Sequence, residues 1–250
     1  SVPLPAIAVT AAQRTSVFAD AALAFAAVRG RPPVLRPPIP LDDVRFDRVL
    51  YVHMAALAAI EEVPFDAGSL MDVILDHEER FWRTGREGGP ARTVEAAIAR
   101  QLVAASTLRG GLATQGDAQA LFARLIGRPR VREDDELIEL LHRVYEGASD
   151  SGYFPALEPD LLGEAMVARV AAPPPGAGRG GGEAWIDRVF VPGDDSRVLT
   201  TAFTVLGRAS ATAAPALGPW IARLLATELA TRAPAAVRAV SSRPSARASA

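Results

Sequence analysis

Alanine and leucine crowd this chain while aromatic residues make up only 6% of it, and that imbalance narrows the folds open to it. Strands draw on β-branched and aromatic side chains, whereas alanine and leucine favour helices that approach one another closely. With 250 residues, 49% of them apolar, the chain can bury a substantial core and has room for two or three small domains. Its 20 glycines and 20 prolines fall in a few stretches, so they separate helices instead of diluting them. The expected fold is mainly α: a helical domain and a winged-helix-like domain, followed by a helical-repeat-like hairpin.

Periodicity places the pieces. Residues 11–28 read as a helix with Phe18, Ala22 and Phe25 on one face, closed by the proline-rich run 31–40. Residues 47–62 read as a buried helix with almost no polar face. Residues 66–83 follow, with Leu70, Ile74 and Phe81 or Val73 and His77 along the inner stripe. After a break at 85–90, residues 93–107 carry Val94, Ile98 and Leu102 at helical spacing. Asp117 is the expected cap of a helix bearing Leu121, Phe122 and Leu125, with Gly127 as its stop. The acidic run Glu133-Asp134-Asp135-Glu136 opens the next helix, where surface carboxylates suit the positive end of the dipole. Residues 147–159 read as a turn or hairpin, and residues 160–170 as a helix. The run APPPGAGRGGG (172–182) is the best domain boundary. Beyond it come helices at 183–190, 196–209 and 215–231, the last two an antiparallel pair that could begin a helical repeat. The resulting plan is an arm at 1–40, a small helical domain at 41–88, a winged-helix-like domain at 91–172, a linker at 173–182, a repeat-like segment at 183–240 and a disordered tail at 241–250.

Composition also removes chemistry. The chain has no cysteine, hence no disulfide and no thiolate metal site. It has no lysine either: all 27 basic residues are arginine, which excludes Schiff bases, Ser-Lys dyads and a phosphate-loop lysine. Gly176-Ala177-Gly178-Arg179-Gly180-Gly181 fits GxGxxG in letters, but three prolines precede it where a strand is required. His77-Glu78 opens like a zinc-protease HExxH, yet the fifth position is Phe81, and His53, His77 and His142 lie far apart, so no metal is expected. Gly147-Ala148-Ser149-Asp150-Ser151 misses the nucleophile elbow GxSxG by one residue. No apolar run is long enough for a membrane span and no signal-peptide layout opens the chain, which leaves a cytoplasmic location by elimination. Charge is uneven: ten acidic residues face three arginines over 131–170, and six arginines face one glutamate over 201–250. The middle would therefore repel a phosphate backbone.

Several segments resemble bacterial NACHT-type STAND P-loop ATPases, in the order expected of that family. VPLPAI near the start, with Arg14 and Phe18 after it, resembles the stretch following their catalytic core. DRVLYVHMAALAAI (47–60) and LMDVILDHEERFW (70–82) resemble the beginning and end of their small helical domain. ELLHRVYEGASDSGYFPALEPDLLGEAMVARV (139–170) resembles the later part of their winged-helix domain. LTTAFTVLGRAS (199–210) resembles the opening of a tetratricopeptide-like array.

The resemblance implies a regulatory portion that folds over ADP held by an ATP-binding core, and releases it when ATP exchange permits homo-oligomerisation. It implies an adenine contact at the apolar helix start, Val49 and Leu50, although Val49 stands where the family commonly has proline. It also offers His77 and His142 as candidate contacts sensing the nucleotide state. ATP or ADP would be bound through an adjoining core in cis or in trans, because neither a phosphate loop nor a Walker B strand is present in this sequence. No catalytic activity is expected of this chain alone, as a fragment or as one half of a split system. Two alternatives stand beside this reading. One is a helical scaffold for a protein partner at the C-terminal helices. The other is a winged-helix DNA-binding regulator using Arg124, Arg128, Arg130 and Arg132, although a nucleic-acid partner is not expected.

Overall fold

Helices account for 75% of the computed structural model, which describes residues 10–84, 93–145, 152–157, 160–172 and 183–241. Among these residues the only β pairing is one antiparallel bridge between Leu112 and Phe154. The mainly α fold expected from composition is therefore observed. The chain forms two compact units, Ser1–Arg80 and Phe81–Ala250, and the division falls inside a helix. The run 1–9, the break at 85–90, the stretch 147–151, most of the 172–182 linker and the tail from 242 lie outside the described residues.

In the first unit, α1 (Ala11–Arg29) is held at both ends by local chemistry. Thr10 and Gln13 form a capping box, and Gly30 adopts φ 62° to take the left-handed stop. Its buried face is Phe18, Ala21, Ala22 and Ala26, whereas Phe25 is only half-buried. Against it packs α2 (Val49–Ile60), whose Ala55, Ala56 and Ala58 are buried. Small side chains on both partners let the backbones come close and lose little side-chain entropy on burial. Arginines fasten the edges. Arg14 pairs with Asp47 and donates to the Leu41 carbonyl at 2.6 Å, while Arg31 donates to the Ile60 carbonyl at 2.9 Å. The helix begins two residues later than expected because Val44–Asp47 winds into a short 3-10 turn capped by Asp43. Likewise α3 (Leu70–Thr84) begins four residues late. Asp66 Oδ1 accepts from the amides of Gly68 and Ser69 at 2.7 and 2.8 Å, holding 66–69 as a turn.

The second unit is organised around α4 (Thr93–Arg109), whose residues 102–108 are all buried. Helices α5 (Gln115–Ile126), α6 (Arg132–Tyr145), α7 (Asp160–Ala171) and α9 (Ser196–Thr227) all contact it. Because α4 is enclosed, its polar side chains need internal partners. Ser106 Oγ lies 3.2 and 3.1 Å from the carbonyls of Phe154 and Pro155. Thr107 Oγ1 donates to Val103 and accepts from the Leu157 amide at 3.1 Å. These bonds hold residues 152–157 beside α4, and Leu112 and Phe154 exchange both N–H···O bonds of the bridge. Arg109, at the end of α4, forms a bidentate pair with Asp194 at 2.9 and 3.0 Å and reaches the Val189 carbonyl of α8 (Glu183–Val189). Residues 173–182, read from sequence as the best boundary, join α7 to α8, and α7 packs directly on α9 within this unit.

Three local readings change. Thr114, not Asp117, is the cap of α5; Asp117 is the reciprocal partner of a capping box. Asp134 is not surface charge: only 6% exposed, it accepts from Arg128 twice and from the Val131 amide. The C-terminal pair divides at Ala213, inside the expected interval, but its second helix ends at Thr227 instead of 231. Helix α9 runs from Ser196 to Thr227 with a kink at Ala213, and α10 (Leu229–Ser241) follows a break at Glu228. Pro215 is tolerated because the kink makes it part of a first turn, where no amide donor is required. Inside this hairpin, Arg232 is 2% exposed and donates to the Leu224 carbonyl at 3.1 Å.

Candidate functional site

A cleft of about 260 Å³ opens in the second unit where the last turn of α4, the first turns of α7 and the middle of α9 meet. The two segments LEPDLLGE and LTTAFTVLGRAS supply most of its walls: Leu157, Asp160 and Glu164 from one, Thr200, Thr201 and Arg208 from the other. Asp160 and Glu164 on α7, and Thr200, Thr204 and Arg208 on α9, recur at four-residue intervals, so each set shares a helix face. Close approach is built in at Gly163. A Cβ there would stand 2.7 Å from Thr107 Cγ2 and 2.8 Å from the Leu157 carbonyl oxygen.

Arg208 Nη1 reaches Asp160 at 2.7 Å and Glu164 at 3.7 Å. The Thr200 and Thr204 hydroxyls donate to carbonyls four residues back, and Thr107 does the same. Their remaining capacity is acceptor capacity. With Arg208 facing two carboxylates, the lining carries one net negative charge. The cleft thus combines threonine hydroxyls, two carboxylates and one guanidinium, groups suited to holding a polar ligand.

The residues singled out by sequence do not gather there. Val49 is the first residue of α2 and is exposed, and Leu50 beside it is half-buried; Arg48 before them makes no side-chain cap bond. His77 is half-buried on α3, where burial holds its pKa below the ordinary 6.5, Glu61 opposes, and Arg29 and Arg80 add to the depression. Its neighbour Glu61 lies at the far end of α2 from Val49, a helix length of about 18 Å. His77 and the Val49–Leu50 edge are thus separate places.

His142, in the second unit, is tied into its own surroundings. Its ring stacks on Tyr153 with centroids 3.9 Å apart, and Nδ1 lies 2.6 Å from the Tyr153 carbonyl. A carbonyl only accepts, so Nδ1 carries the proton and Nε2 is the nitrogen left for another partner. The Tyr153 hydroxyl donates to Glu139 at 3.0 Å; burial and that carboxylate push its pKa up to about 12. Among the described residues, no group of three or more His, Asp or Glu is arranged to hold a metal, and no helix is long and apolar enough to cross a membrane.

The sequence reading overlooked Asp160, Glu164 and Arg208 as a set. The i,i+4 carboxylates of DLLGE, and the Thr200, Thr204 and Arg208 series at the same interval, were the signal available. No family model matches the chain, and neither does any curated protein or solved structure.

Proposed function

We propose that this chain is the regulatory, nucleotide-lid and oligomerisation portion of a STAND-class signalling ATPase, acting on an ATP-binding core in cis or in trans. The observation that carries this reading is the order of elements from α4 to Phe154: helix, bridge residue, two helices, bridge residue. The two bridge residues pair antiparallel across the intervening helices. A winged helix has this order, with its third helix followed by the wing. The family resemblance expects such a domain at this place, between a small helical domain and a repeat-like hairpin.

The third helix in this order, α6, is built for something other than DNA. Its exposed residues include Glu133 and Glu136 beside Arg143, and the three arginines at its start are neutralised: Arg128 by Asp134, Arg130 by Asp135 and Arg132 by Glu136. A major-groove helix needs a basic face. In the lid reading, ATP or ADP is held by the partner core, and the apolar Val49–Leu50 edge of the first unit is what this chain offers to the adenine. The nucleotide supplies the state-dependent contacts that favour closed or open forms. Added to a separately prepared ATP-binding core, the full chain should slow ADP release. An unchanged release rate, or steady ATP hydrolysis by this chain alone, would overturn the reading.

A second reading, a helical scaffold for a protein partner, draws on α10. That helix leaves Leu229, Val237 and Val240 exposed at 62%, 64% and 67%. Val237→Asp with Val240→Asp would then abolish partner capture while leaving ADP retention intact.

A further inference from the structure

We propose that Arg124 and Arg188 form a binding site for a phosphate-type dianion at the junction of α5 and α8. Of the five arginines on and between α5 and α6, three are consumed internally and Arg143 stands exposed near the end of α6. Arg128 is held by Asp134 through two bonds of 2.6 and 2.9 Å, Arg130 lies 3.4 Å from Asp135, and Arg132 lies 2.9 Å from Glu136. Arg124 differs. Its Nε donates to the backbone carbonyl of Arg188 at 3.0 Å, and among the described residues no carboxylate pairs with it.

Arg188 makes the reciprocal bond, from Nη1 to the Leu125 carbonyl at 3.0 Å, and it too has no carboxylate partner among the described residues. Each guanidinium is thus anchored on the closing turn of the other's helix. A helix end supplies about half a negative charge, so two such ends leave two full cations under-compensated. A third cation adds to the field. Arg109 lies near enough to push the Arg124 pKa down, together with burial as the larger cause, and Asp194 offsets it only in part because that carboxylate is bound to Arg109 itself. Two guanidiniums, those of Arg109 and Arg124, therefore share the field of one carboxylate.

The unused donors define the ligand. Arg124 keeps both terminal nitrogens, and Arg188 keeps Nε and Nη2. Guanidinium forks of this kind match the oxygens of a tetrahedral anion. Because a backbone carbonyl already fixes each side chain, binding costs little further side-chain order. Arg124 is half-buried and Arg188 exposed, so the site is reached from solvent on one side. Glu133 and Glu136 on the neighbouring helix would repel an extended polyanion, which favours a single phosphate group over a nucleic-acid backbone. The ligand is inorganic phosphate or a small phosphate monoester. The site rests on the second unit alone and stands whatever becomes of the lid reading.

Calorimetric titration of the full chain with inorganic phosphate, at constant ionic strength, tests this directly. Saturable binding is expected, weakened about tenfold or more by Arg124→Gln and by Arg188→Gln. Arg132→Gln, which removes a neighbouring exposed cation, should leave it unchanged. Arg124→Lys keeps the charge and loses the fork, so it should bind phosphate more weakly while retaining the helical circular dichroism of the parent. A parallel titration with a nucleoside monophosphate distinguishes sources: tighter binding points to a nucleotide, equal binding to free phosphate. Absence of saturation at tens of millimolar phosphate would sink the proposal. So would unaltered affinity in the well-folded Arg188→Gln protein, or equal weakening by Arg132→Gln.

Discussion

The α1–α2 hairpin of the first unit and the surroundings of α4 in the second solve the same packing problem by different means. In the hairpin, alanine meets alanine, and the polar fastenings sit at the rim, each with one partner open to solvent: Asp47 opposite Arg14, and Arg29 and Arg31 opposite Glu61. Around α4, hydroxyls and an arginine lie inside the structure. Ser106, Thr107 and Arg109 each hold a particular backbone segment, at 154–157 or 189–194. Rim pairs add modest stability and restrict little. Interior polar bonds are costly to break and exclude alternative packings. The first unit is thus held mainly by apolar contact, and the second holds its chain segments in fixed positions by interior hydrogen bonds.

That contrast is most exposed at the two arginine pairs. Asp194 is 7% exposed and serves both Arg109 and the Val191 amide, whereas Asp47, the partner of Arg14, is 41% exposed. Asp194→Ala strands a mostly buried guanidinium and should cost the second unit about 3 kcal/mol in urea denaturation. Arg14→Ala should cost the first unit about 1 kcal/mol, because water takes over much of what Asp47 loses. Equal losses would abolish the distinction between rim and interior.

Two glycines sharpen it further. At Gly163 an added Cβ meets Thr107 Cγ2 at 2.7 Å and the Leu157 oxygen at 2.8 Å, and both groups are fixed by the Thr107–Leu157 bond. Gly163→Ala should therefore destabilise by about 2 kcal/mol despite alanine's better helix propensity. At Gly30 nothing lies within 4 Å and the obstacle is only φ +62°. Gly30→Ala should cost about 1 kcal/mol, through backbone strain alone. The denaturation midpoints of the two variants check both figures, and a milder effect at Gly163 would mean that α7 and α4 can separate slightly without penalty.

The helices were legible because their signals are local. Gly127 ends α5 in the left-handed conformation expected of it, and α1 and α7 lie within a residue or so of the periodic runs. Errors arose where two local signals competed. Thr114 and Asp117 are both good caps, and reading T-x-x-D as a box would have chosen between them. Pro215 marked a helix start correctly, since the backbone is non-helical at Ala213 just before it, but the break at Glu228 inside the expected 215–231 run carries no proline or glycine to announce it. The burial of Asp134 depends on Arg128 folding back over the loop, which no charge count conveys. The cleft and the Arg109–Asp194 pair were further out of reach. Arg109 and Asp194 are 85 positions apart, and nothing in either segment names the other before the chain has packed.

The smallest expected effect separates the units by pH. Burial disfavours the charged form of His77, Arg29 and Arg80 reinforce this, and Glu61 opposes it, so the folded pKa lies below 6.5. As pH falls through 6.5, the unfolded chain takes up the proton first. The contribution of His77 to the first unit is therefore complete above 6.5 and shrinks as pH drops toward the lower folded value. Asp134 in the second unit behaves differently. Burial would raise its pKa, but the Arg128 hydrogen bond and the Val131 amide outweigh that and hold it below 3.8. Its contribution persists through the neutral range and is lost only as pH falls from 3.8 through the folded value. His77→Gln should flatten the unfolding profile of the first unit just below pH 6.5 without altering that of the second. An unchanged profile would mean that a group other than His77 titrates there, and that the half-buried α3 face of the first unit is better hydrated than its packing indicates.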